Sequence, residues 1–145
     1  MFTNYTLNTM KILSPSAHGV LDYITVAFFA LAPTLFDLQH PYSTAFYVLA
    51  AGYLLIALMT DYPLGFMRMI PFPLHGGFEL VSGLVFIVLP FLFGFSDEEP
   101  VARNLFVGSG IFFLLSWLMT DWKGVGSHAN ERPRTGSLMT DMGRH

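Results

Sequence analysis

The chain has 145 residues, which is the length of one domain. Its composition is 53% hydrophobic and 12% charged, against about 25% charged residues in an ordinary soluble domain. So few polar residues cannot cover a water-exposed surface, and the composition therefore indicates a membrane protein. It excludes intrinsic disorder, which needs low hydrophobicity and high net charge. A net charge of −3 without a basic cluster argues against nucleic-acid binding, and the absence of cysteine excludes disulfides, a thiol nucleophile and cysteine zinc sites.

Four apolar segments have about the 20 residues that a transmembrane helix needs. They cover approximately residues 15–36, 43–60, 73–95 and 102–120. None alternates polar and apolar residues with period two, and helices satisfy every backbone polar group within lipid. The sequence therefore predicts an all-α membrane protein, a pseudo-twofold bundle of four transmembrane helices built from two helical hairpins.

Short connectors separate these segments. A His-Pro turn signal at 40–41 follows the first helix, and an acidic loop at 97–99 follows the third. The apolar stretch 61–72 is expected to lie in the membrane interface. We predict one transmembrane domain over 1–122 and a polar cytoplasmic tail over 123–145.

A cleaved signal peptide is the alternative interpretation of the first segment. Ala30-Leu31-Ala32 resembles a cleavage site, but Asp22 interrupts the apolar stretch and Pro33 would directly follow the cut. The repeat described below also makes this segment an integral half of the fold, which favours a retained helix.

Lysine and arginine concentrate on the cytoplasmic side of membrane proteins. With four spans, Arg103 lies on one side of the membrane. The other positive residues lie on the opposite side: Lys11, Arg68, Lys123, Arg132, Arg134 and Arg144. We therefore predict that both termini are cytoplasmic, with Tyr62 and Trp122 as interfacial anchors on that side.

The sequence contains an internal repeat. His-Gly-Val-Leu-Asp at 18–22 recurs as His-Gly-Gly-Phe-Glu at 75–79, and Leu-Met-Thr-Asp recurs at 58–61 and 118–121, each time followed by an aromatic residue. The two repeats cover about 16–62 and about 73–122. Since each repeat holds two helices, both halves have the same membrane orientation, related by an axis along the membrane normal.

A proline stands late in the first helix of each repeat, in Ala32-Pro33-Thr34 and in Leu89-Pro90-Phe91. Together with the His-Gly and Thr-Asp-aromatic motifs, this pattern resembles the SPW-repeat membrane proteins, a prokaryotic family of small proteins built from two-helix repeats. The family has Ser-Pro-Trp where this chain retains only the proline. The resemblance covers about 16–122; it implies the fold and a prokaryotic cytoplasmic membrane, and it supplies no catalytic residues.

The topology gathers polar residues of both repeats at one end of the bundle, where the first and third helices begin and the second and fourth end. This layer contains His18, Asp22, Thr60, Asp61, His75, Glu79, Thr120 and Asp121. In each repeat the histidine and the following carboxylate are spaced i,i+4, on one face of the helix. Ionisable groups at the edge of the hydrocarbon are costly, so this layer is the candidate functional site.

Three interpretations of the layer stay open. In the principal hypothesis the histidines and carboxylates pair with one another and lock the two halves in register, in a membrane protein of structural or accessory type. In the second, His18, Asp22, His75 and Glu79 bind a divalent metal such as iron, manganese or zinc, or the two histidines hold a haem. In the third, an oligomer conducts protons or ions through these groups.

The expected partners are the lipid bilayer and either further copies of the chain or a larger membrane complex. The sequence has no nucleophile elbow, phosphate loop, zinc-protease helix or dinucleotide motif. We therefore predict that the protein is not an enzyme.

Overall fold

The computed structural model describes residues 11–123, which form four helices and one pair of two-residue strands. The helices are α1 (Pro15–Leu35), α2 (Tyr42–Met59), α3 (Phe72–Leu92) and α4 (Pro100–Met119); the strands β1 (Thr60–Asp61) and β2 (Ile70–Pro71) lie between α2 and α3. Each helix is long and apolar enough to cross a membrane. The predicted all-α fold with four membrane-spanning helices is confirmed. The tail predicted beyond Lys123 lies outside the described residues.

The helices pack as two pairs, α1 with α2 and α3 with α4. A cluster of phenylalanine rings fills the interior of the bundle away from the polar layer: Phe29, Phe46, Phe86, Phe95, Phe106 and Phe113. The ring of Phe29 lies 5.7–6.3 Å from those of Phe46, Phe86 and Phe113. Offset and edge-on contacts of this kind pack aromatic rings densely, so the core at this level is apolar.

Helices α1 and α3 end in the same kind of turn. Asp37 (φ 51°) and Gly94 (φ 75°) adopt the left-handed conformation. The residue after each donates its backbone N–H to the carbonyl of Pro33 or Pro90, at 2.9 and 3.1 Å. This turn is a common way to end a helix, and it stops α3 at Leu92 rather than at the predicted residue 95.

Two short parallel pairings join the repeats at the polar end of the bundle. In β1 and β2, Thr60 lies opposite Ile70, and Leu13 forms the equivalent bridge with Thr120. Each pairing ties the end of the second helix of one repeat to the residues that lead into the first helix of the other repeat. Strands of two residues are too short to show a periodic pattern in the sequence, and they form because the helix ends meet in space.

Candidate functional site

The two histidines face each other at the interface between the repeats. His18 lies in the first turn of α1 and His75 in the first turn of α3, and both side chains are buried. Their Nε2 atoms are 3.4 Å apart. The pseudo-twofold relation of the repeats therefore brings one ring nitrogen from each half to a single point.

Two threonine hydroxyls determine which nitrogen of each histidine carries the proton. Thr60 Oγ1 donates to the carbonyl of Ile56 at 2.7 Å, and Thr120 Oγ1 donates to that of Ser116 at 2.6 Å. These carbonyls belong to the last turns of α2 and α4, where the helix leaves them without a backbone partner. Since a hydroxyl has one hydrogen, each threonine oxygen is left to accept.

In each histidine, Nδ1 must therefore carry the hydrogen that the threonine oxygen accepts. His18 Nδ1 donates to Thr120 Oγ1 at 2.8 Å, and His75 Nδ1 donates to Thr60 Oγ1 at 2.9 Å. With Nδ1 protonated, a neutral imidazole has its lone pair on Nε2. Both lone pairs then point toward the same small volume, which is the arrangement of histidines that bind a metal through Nε2 while a second group orients the ring.

Each threonine holds the histidine of the other repeat, and the strand pairings explain why. Thr60 pairs with Ile70, five residues before His75, and Thr120 pairs with Leu13, five residues before His18. The pairings thus fix each threonine beside the helix start that carries its histidine. The Thr-Asp and His-Gly motifs of the repeat are two parts of one contact.

Carboxylates from both repeats complete the buried cluster. Asp22 places Oδ1 3.3 Å from His18 Nε2 and Oδ2 3.4 Å from His75 Nε2. Glu79 Oε2 lies 3.7 Å from His18 Nε2. Both carboxylates are at most 2% exposed, and within residues 11–123 neither Asp22 Oδ2 nor Glu79 Oε2 has a hydrogen-bond partner.

These distances fit a metal ion better than a hydrogen-bonded network. Good N–H···O bonds span about 2.7–3.2 Å, which is shorter than every histidine–carboxylate contact in the cluster. Four ligands at 2.0–2.1 Å from a tetrahedral ion lie about 3.3–3.4 Å from one another. The donor atoms of His18, Asp22 and His75 lie within 4.8 Å of one another, and all three residues are buried. Imidazole nitrogens with carboxylate oxygens suit zinc, iron or manganese.

The same geometry does not fit a haem. A haem iron carries its axial ligands on opposite faces of a flat macrocycle. Here Asp22 lies within 3.4 Å of both Nε2 atoms, and the two imidazole rings are nearly perpendicular with centroids 5.3 Å apart. This leaves no slot for a porphyrin between His18 and His75.

Aromatic side chains close the site at the end where α1 and α3 begin. A Cβ atom at Gly19 would lie 2.1 Å from the ring of Tyr62, and one at Gly76 would lie 2.9 Å from the ring of Trp122. The glycine after each histidine therefore makes room for the aromatic residue that follows Thr-Asp in the same repeat. Phe72 packs between these two rings, at 5.9 Å from Tyr62 and 4.7 Å from Trp122.

The prediction that Tyr62 is an interfacial anchor is wrong, because its side chain is 1% exposed and covers the site. Burial, and after it the charge of Asp22, raises the pKa of the Tyr62 phenol well above its ordinary value. The phenol therefore stays protonated and remains a donor, although its hydroxyl has no partner in the described part of the chain. Trp122 is only partly buried, and its Nε1 donates to the carbonyl of Trp117 at 2.9 Å.

The two remaining aspartates of the predicted layer stand beside the cluster. The Asp121 side chain accepts from the backbone N–H of Lys123 at 3.1 Å, and Asp61 is half-buried in β1. The sequence leaves open whether Asp61 and Asp121 accept from histidine or from nearby backbone donors. Asp121 accepts from a backbone donor, and the histidine protons go to the neighbouring threonines. The structure brings together His18, Asp22, Thr60, His75, Glu79 and Thr120.

Sequence reasoning missed Tyr53, which donates from its hydroxyl to Asp22 Oδ1 at 2.7 Å. The position of Tyr53 could have revealed it, because Tyr53 lies seven residues before Thr60 and therefore on the same face of α2. Ser116 lies four residues before Thr120 by the same logic, and its Oγ is 3.4 Å from His18 Nδ1.

A family profile described as SPW repeat domain matches residues 16–118 of the chain. The match covers well over half of the chain, and the protein belongs to the SPW-repeat family, as its two prolines and repeated motifs suggested. Together with the four apolar helices, this membership identifies an integral membrane protein. A comparison with curated proteins and one with solved structures each returned no match.

Proposed function

We propose that this protein is a metal-binding membrane protein that holds one divalent transition-metal ion between its two repeats. The observation that carries the proposal is the convergence of the two Nε2 atoms, 3.4 Å apart, on the carboxylate of Asp22, with each Nδ1 already bonded to a threonine. Two lone pairs that face each other at this distance repel unless a cation lies between them. Zinc, iron or manganese would meet the donor types and the ligand separations.

The charges of the cluster support a divalent ion. Asp22 and Glu79 are both buried, and an unpaired carboxylate is costly in a low-dielectric interior. Within residues 11–123, no lysine or arginine contacts either of these carboxylates. A divalent ion would neutralise two carboxylates without adding charge, whereas one histidine proton would neutralise a single carboxylate.

The test is elemental analysis by mass spectrometry on protein purified in detergent without chelator. We expect about one zinc, iron or manganese ion per chain, and its loss in the variant H18A/H75A. His40→Ala is the matched control, because His40 also bonds a threonine, Thr44 at 3.2 Å, but is exposed at the opposite end of the bundle. Folded wild-type protein that binds none of these ions after incubation with each would refute the proposal.

That refutation would favour the purely structural interpretation, in which a protonated histidine takes the place of the metal ion. The role as an accessory subunit of a larger membrane complex is compatible with either result, and it remains a prediction tested by co-purification from native membranes. A conduction function is disfavoured by the packing. Beyond Asp22, Thr25 donates to the carbonyl of Leu21 at 2.8 Å, and the phenylalanine cluster then fills the interior.

We further propose that the site lies at the cytoplasmic end of the bundle, as the distribution of lysine and arginine predicts. Because the chain has no cysteine, single cysteines at Lys123 and Glu98 report the two sides directly. We expect a membrane-impermeant maleimide to label Glu98→Cys in intact cells and Lys123→Cys only after lysis. The reverse pattern would place the site on the outer side.

A further inference from the structure

A groove runs along the outside of the bundle between two helices of different repeats. Ile24 and Phe28 of α1 form one wall of the groove, and Gly108 and Phe112 of α4 form the other. Its volume is about 330 Å³, which is within the range of ligand pockets. All four residues are exposed and belong to membrane-spanning helices, so the groove opens to the lipid and not to water.

Helix α4 lies close to its partner in the same repeat, α3. A Cβ atom at Gly110 would lie 2.6 Å from the backbone oxygen of Gly83, so the two helices touch through their backbones. At the repeat offsets of 57 and 60 residues, Val26 and Ala50 take these two positions in the first repeat. Helix α4 is thus held against α3, and on the side of α1 a Cβ atom at Gly108 would meet nothing within 4 Å.

The groove has the direction and the length of a lipid acyl chain within one leaflet. Its lining residues on α4 run from Asn104 to Phe112, which is about 12 Å along the helix axis. Half of the hydrocarbon thickness of a bilayer is about 15 Å. Since α4 begins at Pro100, at the end of the bundle opposite the buried histidines, the groove extends from that end toward the middle of the membrane.

A positive charge stands at the mouth of the groove. Arg103 Nε donates to Asn104 Oδ1 at 3.1 Å, and Arg103 Nη1 donates to the carbonyl of Ser96 at 2.9 Å. These bonds fix the guanidinium beside the groove and use two of its five N–H donors. Within residues 11–123, no carboxylate forms an ion pair with Arg103. Arginine suits phosphate, and the phosphates of a bilayer lie just beyond its hydrocarbon, at the level of helix ends.

We infer that the groove between α1 and α4 binds one phospholipid, with an acyl chain between the two helices and the headgroup phosphate on Arg103. Every groove that faces lipid meets acyl chains. The fixed guanidinium adds charge-assisted hydrogen bonds to the phosphate, and these hold one lipid molecule at this position. The inference is independent of the metal site, which lies at the other end of the bundle.

Native mass spectrometry of the detergent-purified protein, titrated with phosphatidylethanolamine, tests this inference. This lipid carries the phosphate without a net charge, so the exposed carboxylates of Asp97, Glu98 and Glu99 do not repel it overall. We expect one lipid molecule to bind more tightly than any other. Gly108→Leu places a side chain in the groove and should weaken this binding about tenfold or more.

Gly52→Leu is the matched control for the groove. Gly52 is exposed on α2, nothing lies within 4 Å of its Cβ position, and it does not line the groove. Both glycine variants should unfold at the temperature of the wild type, because neither Cβ atom meets a neighbour, and Gly52→Leu should leave lipid affinity unchanged.

The headgroup contact is tested with a second lipid. Arg103→Gln should weaken the binding of phosphatidylethanolamine about fivefold to tenfold, but not the binding of diacylglycerol, which lacks the phosphate. An equal effect on both lipids would overturn the phosphate contact. Equal affinity of the wild type and Gly108→Leu for phosphatidylethanolamine would overturn the site itself. A dimer that Gly108→Leu dissociates would show that a second copy of the chain fills the groove in place of a lipid.

Discussion

The two repeats of this protein contribute the same backbone and the same motifs, but they contribute unequally to the site. Each supplies a histidine, a threonine that holds the other repeat's histidine, and a glycine beneath an aromatic ring. The first repeat also supplies Tyr53 and Tyr62, whose hydroxyl has no partner among residues 11–123, where the second repeat has Phe113 and Trp122, whose Nε1 is bonded. The symmetric groups thus build the cluster, and the asymmetric groups make the surroundings of Asp22 differ from those of Glu79.

The largest difference between the repeats is expected at the carboxylates. Asp22→Ala should reduce metal affinity on the order of 100-fold or more, because it removes a ligand and not only a group that orients one. Glu79→Ala should reduce it less than about tenfold, since water can take the position. Competition with a chromogenic chelator measures both affinities. Equal losses in the two variants would mean that the carboxylates are equivalent ligands.

The threonines should behave symmetrically. Thr60→Val and Thr120→Val each remove the acceptor that orients one histidine, and each should weaken metal binding about 10–100-fold, the usual effect of losing such a partner. Thr44→Val, which removes the partner of the exposed His40, provides the control and should leave affinity unchanged. A large effect from only one of the two buried threonines would contradict the cross-repeat arrangement.

The glycines test how closely each aromatic ring covers its helix. Gly19→Ala should lower the free energy of unfolding by about 1–3 kcal/mol, because the new methyl group overlaps the buried ring of Tyr62. Gly76→Ala should lower the free energy of unfolding by less, since its Cβ would lie farther from the nearest ring atom, at 2.9 Å. Thermal unfolding in detergent measures both changes.

Gly77→Ala is the control for this pair, because nothing lies within 4 Å of the new Cβ. Alanine is also the better helix former, so this variant should be as stable as wild type or slightly more stable. Similar losses for all three glycine variants would show that helix flexibility, and not the close approach of the rings, explains them.

The smallest effect is expected from Tyr53→Phe, which makes the first repeat resemble the second at this position. Asp22 would lose one hydrogen bond while keeping its place between the histidines, and metal affinity should fall about fivefold to tenfold. Tyr47→Phe on the same helix, at a half-exposed tyrosine, should have no effect. If Tyr53→Phe matched the loss in Asp22→Ala, Tyr53 would be essential to the site and not only a residue that positions Asp22.

Much of the site could be predicted from the sequence because helical periodicity and span counting operate over long segments. The i,i+4 spacing placed His18 above Asp22 and His75 above Glu79, and an even number of helices per repeat placed all four at one end of the bundle. For Asp61 and Asp121 the same reasoning left two donors open, a nearby backbone N–H or the histidine protons. Both residues adjoin the threonines that accept them, and a shift of one residue changes the direction of a side chain.

The membrane-spanning helices, the repeat and the end of the bundle at which polar groups meet can all be predicted from the sequence, because apolar length and the even number of helices per repeat are properties of the chain alone. The folded arrangement was needed to show that Thr60 and Thr120 each hold the histidine of the other repeat, that the two Nε2 atoms face each other, and that Tyr53 bonds Asp22. Hydrogen-bond direction and donor separation depend on how distant helix ends meet, and differences of a few tenths of an ångström there separate a metal site from a polar network.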